Sequence, residues 1–207
     1  MESRCARHPY RTPLTLDAAA LPLYFPVVRF AFKEWAVIVD ALGRGAQILI
    51  LRKGGISEGR GGFQVAHQEF LLFPTLFHQQ RESVLPDAQK RFDEIARNFP
   101  PPETLRLEFF ARIMEARRLD SLADAERLRG QHCWRDDVIA ERFDWSKDKS
   151  IFALAVRVFR LKTPVEIPNL AVYGGCKSWI ELEREIPTEN ATPVLSDETF
   201  ARKLSQW

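Results

Sequence analysis

The sequence predicts an α+β fold whose main element is a curved, mainly antiparallel sheet, either open or closed into a small barrel, with helices that cap it. Three observations lead to this prediction. Two long segments, residues 104–119 and 151–161, alternate in side-chain character as strands do. Other segments have helical spacing and capping residues. Strands and helices do not alternate regularly along the chain, which argues against a parallel sheet covered by helices on both faces.

The first half of the chain begins with a predicted helix. Apolar side chains recur at helical spacing over residues 33–42, and Gly43 is predicted to end this helix. Residues 47–51 (QILIL) form a short apolar run that is rich in branched side chains, which predicts a strand. A second short strand is predicted over residues 69–73, where Pro74 ends it.

The second half contains most of the predicted elements. Pro86 at a first helical position and a later run of three prolines bound a charged amphipathic helix. Ser121 with Asp124 has the form of a capping box, which predicts a short helix. Ser196 or Asp197 is the predicted cap of a terminal helix. The elements before that last helix are, in order, helix 86–98, strand 104–119, helices 121–129 and 135–143, and strands 151–161, 165–167 and 179–182.

Composition excludes several classes of protein. A chain of 207 residues with 45% apolar content can bury one generous core. Its apolar runs are far shorter than the ~20 residues of a membrane span, and its N-terminus does not have the form of a secretory signal. The three cysteines lie far apart and form no disulfide framework. We therefore expect a soluble, cytoplasmic protein with no membrane association, no cofactor and no bound metal.

The distribution of charge is more informative than the net charge. Residues 1–26 hold four of the 13 prolines and little periodic pattern, so they are predicted to be an extended arm before a single α+β domain at residues 27–207. The net charge is only +2, which does not indicate a polyanion track. Residues 1–62, however, carry nine Lys and Arg against five Asp and Glu, whereas the remainder carries 21 against 23. A local positive excess of this kind fits a local anionic ligand.

The end of the strand at residues 47–51 has the composition of a binding site. It leads directly into Arg52, Lys53, Gly54 and Gly55. Arginine can hold a phosphate with a bidentate fork and lysine can hold it as a point charge. A glycine pair exposes main-chain N–H groups, which bind oxyanions. The same residues would also suit a solvated turn, and the glycines do not have the spacing of a Walker loop or a dinucleotide-binding turn.

Further candidate residues follow this loop and stand near a second glycine turn. His67 and Glu69 share one face of a strand because side chains repeat every second residue, and His78 comes after them. Two histidines and a carboxylate could hold a catalytic zinc, but no close ligand pair such as HExxH is present, so we expect hydrogen-bonding histidines. Trp179, beside a glycine turn, is the tryptophan we select as a candidate for stacking on a base.

Three segments resemble a known bacterial family. Residues 33–56 (KEWAVIVDALGRGAQILILRKGGI), 67–79 (HQEFLLFPTLFHQ) and 157–179 (RVFRLKTPVEIPN, then YGGCKSW) together are similar to the family named domain of unknown function 1802. The resemblance covers most of residues 33–183. It implies no activity, because that family is uncharacterised.

The order of the elements is also similar to the PUA-like superfamily, especially its ASCH branch. A helix that ends in glycine precedes a strand that ends in Leu51, Arg52 and Lys53. A long strand (FFARIMEA), two short helices and a strand that leads to a proline (ALAVRVFRLKTP) follow. This resemblance implies a small β-barrel with helical caps that binds RNA or nucleobases, a few members being hydrolases of modified nucleosides. ASCH proteins commonly carry a glutamate just before the arginine, where this chain has Ile50 and Leu51.

The predicted function is therefore the binding of RNA, single-stranded DNA or a nucleotide-like anion by the residues named above. Two alternatives stay open. One is a hydrolase or nuclease in which Lys53, Glu69 and one histidine would be catalytic, and the other is a protein-interaction module without a small ligand. Convergence of Arg52, Lys53, His67 and His78 on one cleft would favour a ligand site, and their dispersal would favour an interaction module.

Overall fold

The computed structural model describes residues 27–53, 64–145 and 149–207. Most of the described residues belong to seven strands and five α-helices. The strands are β1 (Val27–Trp35), β2 (Leu49–Arg52), β3 (Glu69–Thr75), β4 (Thr104–Leu119), β5 (Ile151–Pro168), β6 (Trp179–Pro187) and β7 (Thr192–Pro193). The helices are α1 (Ala36–Gly43), α2 (Pro86–Arg97), α3 (Leu122–Glu126), α4 (Asp136–Asp144) and α5 (Asp197–Leu204), with 3₁₀-helices at His78–Ser83 and Ala171–Tyr173.

All seven strands form one mostly antiparallel sheet. Its order is β2-β5-β4-β3-β1-β6, with β7 beside β5, and only β1 and β3 pair in parallel. The α+β prediction is confirmed, and strands 47–51, 104–119 and 151–161 lie in this one sheet as predicted. Closure into a barrel is not observed, because within the described ranges no ladder joins β2 to β6. The Leu51 carbonyl of β2 instead accepts a hydrogen bond from Arg142 of α4 at 3.4 Å.

The predicted long strands are confirmed, and several strands, β3, β5 and β6 among them, extend further than predicted. β4 has the predicted bounds, whereas β5 continues to Pro168 and includes the separate strand predicted at 165–167, because its ladder with β4 continues to the pair Thr104 and Pro168. β3 runs through Pro74 to Thr75, since it stays in register with β1 to that point.

The largest error of the sequence prediction is at β1. Residues 33–35 were expected to start a helix, but they belong to a strand that pairs on both sides. Phe32, for example, lies opposite Leu72 of β3 and Trp179 of β6. The ladder with β3 continues through Trp35 and outweighs the local helical spacing, because in a protein tertiary pairing overrides propensity. The helix therefore begins at Ala36 and, as predicted, ends at Gly43.

The predicted helix caps are confirmed. The Ser121 hydroxyl accepts a hydrogen bond from the Asp124 N–H at 3.1 Å, and the Ser196 hydroxyl accepts one from the Thr199 N–H at 3.2 Å. The longest described helix, α2, has 12 residues and starts at Pro86. None of the described helices is long and apolar enough to cross a membrane.

Each face of the sheet has its own hydrophobic cluster. Adjacent residues of β1 belong to different clusters, Ala31 to one and Phe32 to the other, as the alternation of side chains along a strand requires. All five helices contribute buried side chains to the cluster of Phe32. The C-terminal end of β1 lies beside the start of β6, and the Arg52 side chain at the end of β2 reaches Ser178 just before β6. Arg52, His67 and Trp179 lie in this region.

Candidate functional site

Arg52 connects the end of β2 to the start of β6. Its Nε and one terminal nitrogen donate to the hydroxyl of the buried Ser178, at 3.0 and 2.8 Å. The guanidinium carbon lies 5.3 Å from the centre of the Phe32 ring, within the range of a cation–π contact. These contacts fix the position of the guanidinium group, which stays half-buried at the surface.

Aromatic rings stand beside this arginine. The imidazole of His67 stacks on Phe30, with ring centres 3.6 Å apart, and meets Trp179 edge-on at 5.2 Å. Trp179 also meets Phe32 edge-on at 4.9 Å, and its indole N–H donates to the Gln64 carbonyl at 3.0 Å. Burial lowers the pKa of His67, although the charge of Glu181 acts in the opposite direction. A mainly neutral, ring-stacked imidazole presents a flat surface rather than a charge.

Two lysines complete the positive charge of this region. Lys33, in β1, donates from Nζ to the Gly175 carbonyl at 3.1 Å, and its main-chain N–H donates to the Ser178 carbonyl at 2.9 Å. Lys177 is exposed in the turn that leads into β6. Burial, and after it the charges of Lys177 and Arg52, lower the pKa of Lys33, while Cys176 acts in the opposite direction. The Lys33 ammonium group is therefore within electrostatic range of both Lys177 and Arg52.

We call Lys33, Arg52, His67, Lys177 and Trp179 the basic–aromatic site. Across the described ranges, no carboxylate oxygen lies within the 4.0 Å ion-pair distance of any of its three cations. Arg52 is unusual in this respect, because most described arginines form an ion pair with a carboxylate. The site therefore combines cations that, among the described residues, have no carboxylate at ion-pair distance with aromatic ring surface.

A buried carboxyl group lies behind the site. Glu34 is only 2% exposed. Its Oε1 accepts a hydrogen bond from the Trp35 N–H at 2.8 Å, whereas its Oε2 has no hydrogen-bond partner among the described residues. Burial raises the pKa of Glu34, and the charges of Arg52 and Arg142 oppose that effect. A buried acceptor without a partner is costly, which marks this position as one that packing alone does not explain.

Arg142 of α4 is the second cation near Glu34. Its guanidinium carbon lies 4.6 Å from the ring of Trp35 and 5.3 Å from the ring of Trp134. Burial lowers the pKa of Arg142 to about 10, while Glu34 raises it and Arg52 lowers it. The guanidinium is held mainly by aromatic faces and by the Leu51 carbonyl, and it links α4 to the strand that carries Arg52.

The remaining residues of the predicted loop take a different role or fall outside the description. Lys53 donates from Nζ to the main-chain carbonyls of Phe143 and Ser150, at 3.2 and 3.0 Å. Its ammonium group therefore connects β2 to the end of α4 and the start of β5. Gly54 and Gly55 lie outside the described residues.

The histidines and the carboxylate predicted as a possible cluster do not converge. Glu69 accepts from the Arg112 Nε at 2.7 Å, which commits it to an ion pair across β3 and β4. His67 precedes β3, whereas the exposed His78 follows it in a 3₁₀-helix. A strand of seven residues spans about 20 Å, so the two histidines lie at opposite ends. Within the described ranges, no group of three or more His, Cys, Asp or Glu could hold a metal ion.

Sequence reasoning missed Lys33, Glu34, Arg142 and Lys177. A signal existed for the first two, because Lys33 and Glu34 interrupt the otherwise apolar run FAFKEWAVIV at residues 30–39. A charged side chain at a strand position that faces the core is a recognised indication of a functional site. The helical spacing of this run conceals the strand-like alternation of side chains that places Glu34 beside Phe32. No local pattern distinguishes Arg142 from the other arginines.

Comparison with known proteins gives a family and a set of similar structures. None of the curated proteins matches this chain. The structure of ASCH from Zymomonas mobilis aligns with a TM-score of 0.43 and 13% identity over 85% of this chain and 92% of that protein. Two single-residue variants of that protein also align at 12% identity. The first variant has a TM-score of 0.41, and its alignment covers 87% of this chain and 98% of its own. The second variant has a TM-score of 0.42, and its alignment covers 85% of this chain and 96% of its own. The family model described as "Domain of unknown function (DUF1802)" matches residues 31–206, and the chain belongs to that family.

Proposed function

We propose that the protein binds a single-stranded nucleic acid or a nucleotide at the basic–aromatic site. The observation that carries this proposal is the grouping of Lys33, Arg52 and Lys177 without a carboxylate within ion-pair distance in the described ranges. Like charges held close together repel, and a bound anion relieves that repulsion. A phosphate is the anion that suits a guanidinium fork flanked by two ammonium groups.

The rings beside the cations favour a ligand that carries bases as well as phosphates. Single-strand-binding proteins combine a positive surface that follows the backbone with aromatic side chains on which bases stack. His67 and Trp179 are half-buried, so part of each ring remains at the surface. A base stacked on one of these rings would leave its phosphate within reach of the cations, because Arg52 and Trp179 both contact Phe32.

Of the other predicted site residues, only Lys53, Gly54 and Gly55 keep a part in this proposal. Lys53 ties the end of β2 to α4, and the Gly54–Gly55 backbone, which follows it in sequence, stays part of the proposal as a source of N–H donors. Glu69 and His78 are not needed for it, since Glu69 is paired with Arg112 and His78 lies beyond the far end of β3. The hydrolase alternative needs Lys53, Glu69 and a histidine to meet, and these contacts do not favour it.

Direct binding tests the proposal. Fluorescence anisotropy with a labelled single-stranded RNA and a DNA of the same sequence should show saturable binding at low salt. Arg52→Gln should weaken it by about tenfold or more, the usual effect of losing a charge-assisted hydrogen bond. Arg184→Gln removes an exposed guanidinium further along β6 and serves as the matched control.

Because Arg52 also holds Ser178, the thermal unfolding midpoint of each variant must be compared with that of the parent. Weak binding by a variant that unfolds like the parent supports the proposal. The proposal is wrong if the parent binds neither nucleic acid nor nucleotide at low salt, or if the two variants bind equally well.

A further inference from the structure

A large cleft lies away from the basic–aromatic site, between α1, α2 and the sheet. Its volume is about 630 Å³, within the range of clefts that hold small molecules. None of the five residues of the basic–aromatic site lines it. Its walls combine apolar side chains with charged ones, and the apolar part includes Val39, Leu72, Ile95, Phe99 and Phe109.

The carboxylates in the cleft already form ion pairs with arginines. Asp40 accepts from Arg44 at 2.8 Å and from Arg91 at 2.9 Å. Arg91 also pairs with Glu94, and Glu108 accepts from Arg106 at 2.9 Å. The lining contains five arginines and three carboxylates, so the local charge is positive even after these pairs have formed.

Arg160 is the arginine best placed to contact a ligand. Its side chain is 51% exposed, and one terminal nitrogen donates to the Gly43 carbonyl at 3.1 Å. The other lies 3.8 Å from Glu108, longer than a hydrogen bond. The guanidinium carbon stands 4.6 Å from the centre of the Phe109 ring. These contacts fix the orientation of the Arg160 guanidinium group, and some of its N–H groups remain available to donate to a ligand.

A close contact between Phe109 and Gly43 forms the wall of the cleft next to Arg160. The ring of Phe109 packs against Gly43 so closely that a Cβ there would lie 2.3 Å from the ring carbon Cζ. Phe109 and Arg160 are opposite residues in the ladder of β4 and β5. The sheet and the end of α1 together hold the ring and the guanidinium in one fixed arrangement.

We infer that this cleft binds a small organic anion with a ring-sized apolar body. Arg160 contacts the anionic group, because a half-exposed guanidinium with spare donors suits a carboxylate, phosphate or sulfonate. The apolar side chains of α1, α2 and β3 hold the body of the ligand. This site is independent of the proposed nucleic-acid binding.

Two dyes that differ only in charge test the inference. The probes are 8-anilino-1-naphthalenesulfonate and N-phenyl-1-naphthylamine, which has the same rings without the sulfonate. Fluorescence titration of the native protein should show one saturable site, with the sulfonate binding about tenfold more tightly, as expected for a charged hydrogen bond. Main-chain NMR shifts should change at Phe99 and Phe109.

Three variants assign the site. Arg160→Gln should remove most of the preference for the sulfonate, whereas Ile95→Trp should weaken both dyes because it fills the cleft. Arg184→Gln should change neither. Thermal unfolding confirms that each variant is folded before titration. The inference is overturned if no saturable site exists, if the NMR shifts fall outside the cleft, or if Arg160→Gln keeps the full preference for the sulfonate.

Discussion

Replacing Arg52 by glutamine should reduce the salt dependence of nucleic-acid binding as well as the affinity. Each phosphate that a cation neutralises releases counterions, so affinity falls as salt rises, with a log–log slope of ~0.7 per contact on a single strand. The basic–aromatic site offers three cations, Lys33, Arg52 and Lys177. If each contacts one phosphate, the slope should be about 2 for the parent and about 1.4 for Arg52→Gln.

These slopes translate into a measurable difference. Between about 50 and 200 mM salt, the parent should lose roughly twentyfold in affinity and Arg52→Gln roughly sevenfold. Lys33→Gln and Lys177→Gln should each lower the slope by a similar amount. Fluorescence anisotropy across a salt series measures all four proteins with one labelled single strand.

Arg184→Gln again provides the control, because it removes the same charge from β6, further along that strand than Trp179. Its slope should equal that of the parent. If Arg184→Gln lowered the slope as much as Arg52→Gln does, the effect would come from net charge and not from local contacts. A parent slope near zero would also refute the reasoning, since it would mean that no phosphate is contacted.

Three further perturbations test the framework around the site. Burial raises the folded-state pKa of Glu34, so its stabilising contribution is present below the unfolded pKa and is lost as pH rises through the folded value. Glu34→Gln, which does not titrate, should therefore become more stable relative to the parent as pH rises above the ordinary pKa of a glutamate, and urea denaturation that showed a constant difference across pH would contradict this. Gly43→Ala places a Cβ 2.3 Å from the Phe109 ring and should cost about 1–3 kcal/mol through overpacking, so an unchanged thermal midpoint would count against that contact. Burial raises the pKa of Cys133 to about 12, whereas Cys176 is exposed. Iodoacetamide should therefore label Cys176 in the native protein and Cys133 only after unfolding. Peptide mass spectrometry measures the labelling, and equal labelling of the two cysteines in the native protein would show that Cys133 is accessible.

The sequence by itself determined the elements whose signals are local. The alternation over residues 104–119 gave β4 its bounds, and the side chains of Ser121 and Ser196 marked the starts of α3 and α5, because a cap is made by atoms only three residues apart. It also located part of the candidate site. The residues that surround Arg52, His67 and Trp179 in sequence predict them as candidates, and in the structure Arg52 and Trp179 both contact Phe32 while His67 contacts Trp179.

Only the tertiary structure decided which charges act together. Arg52 and Ser178 are 126 positions apart in the chain and share two hydrogen bonds. Glu34 lies in a segment with helical spacing, because the ladder that makes residues 33–35 a strand comes from β3, which follows much later in the chain. The tertiary structure also decided that Glu69 and the two histidines do not form a cluster, because Glu69 pairs with Arg112 and the length of β3 separates His67 from His78. Local spacing encodes turns and periodicity, but strand pairing, burial and the compensation of charge depend on residues that meet only in the folded chain.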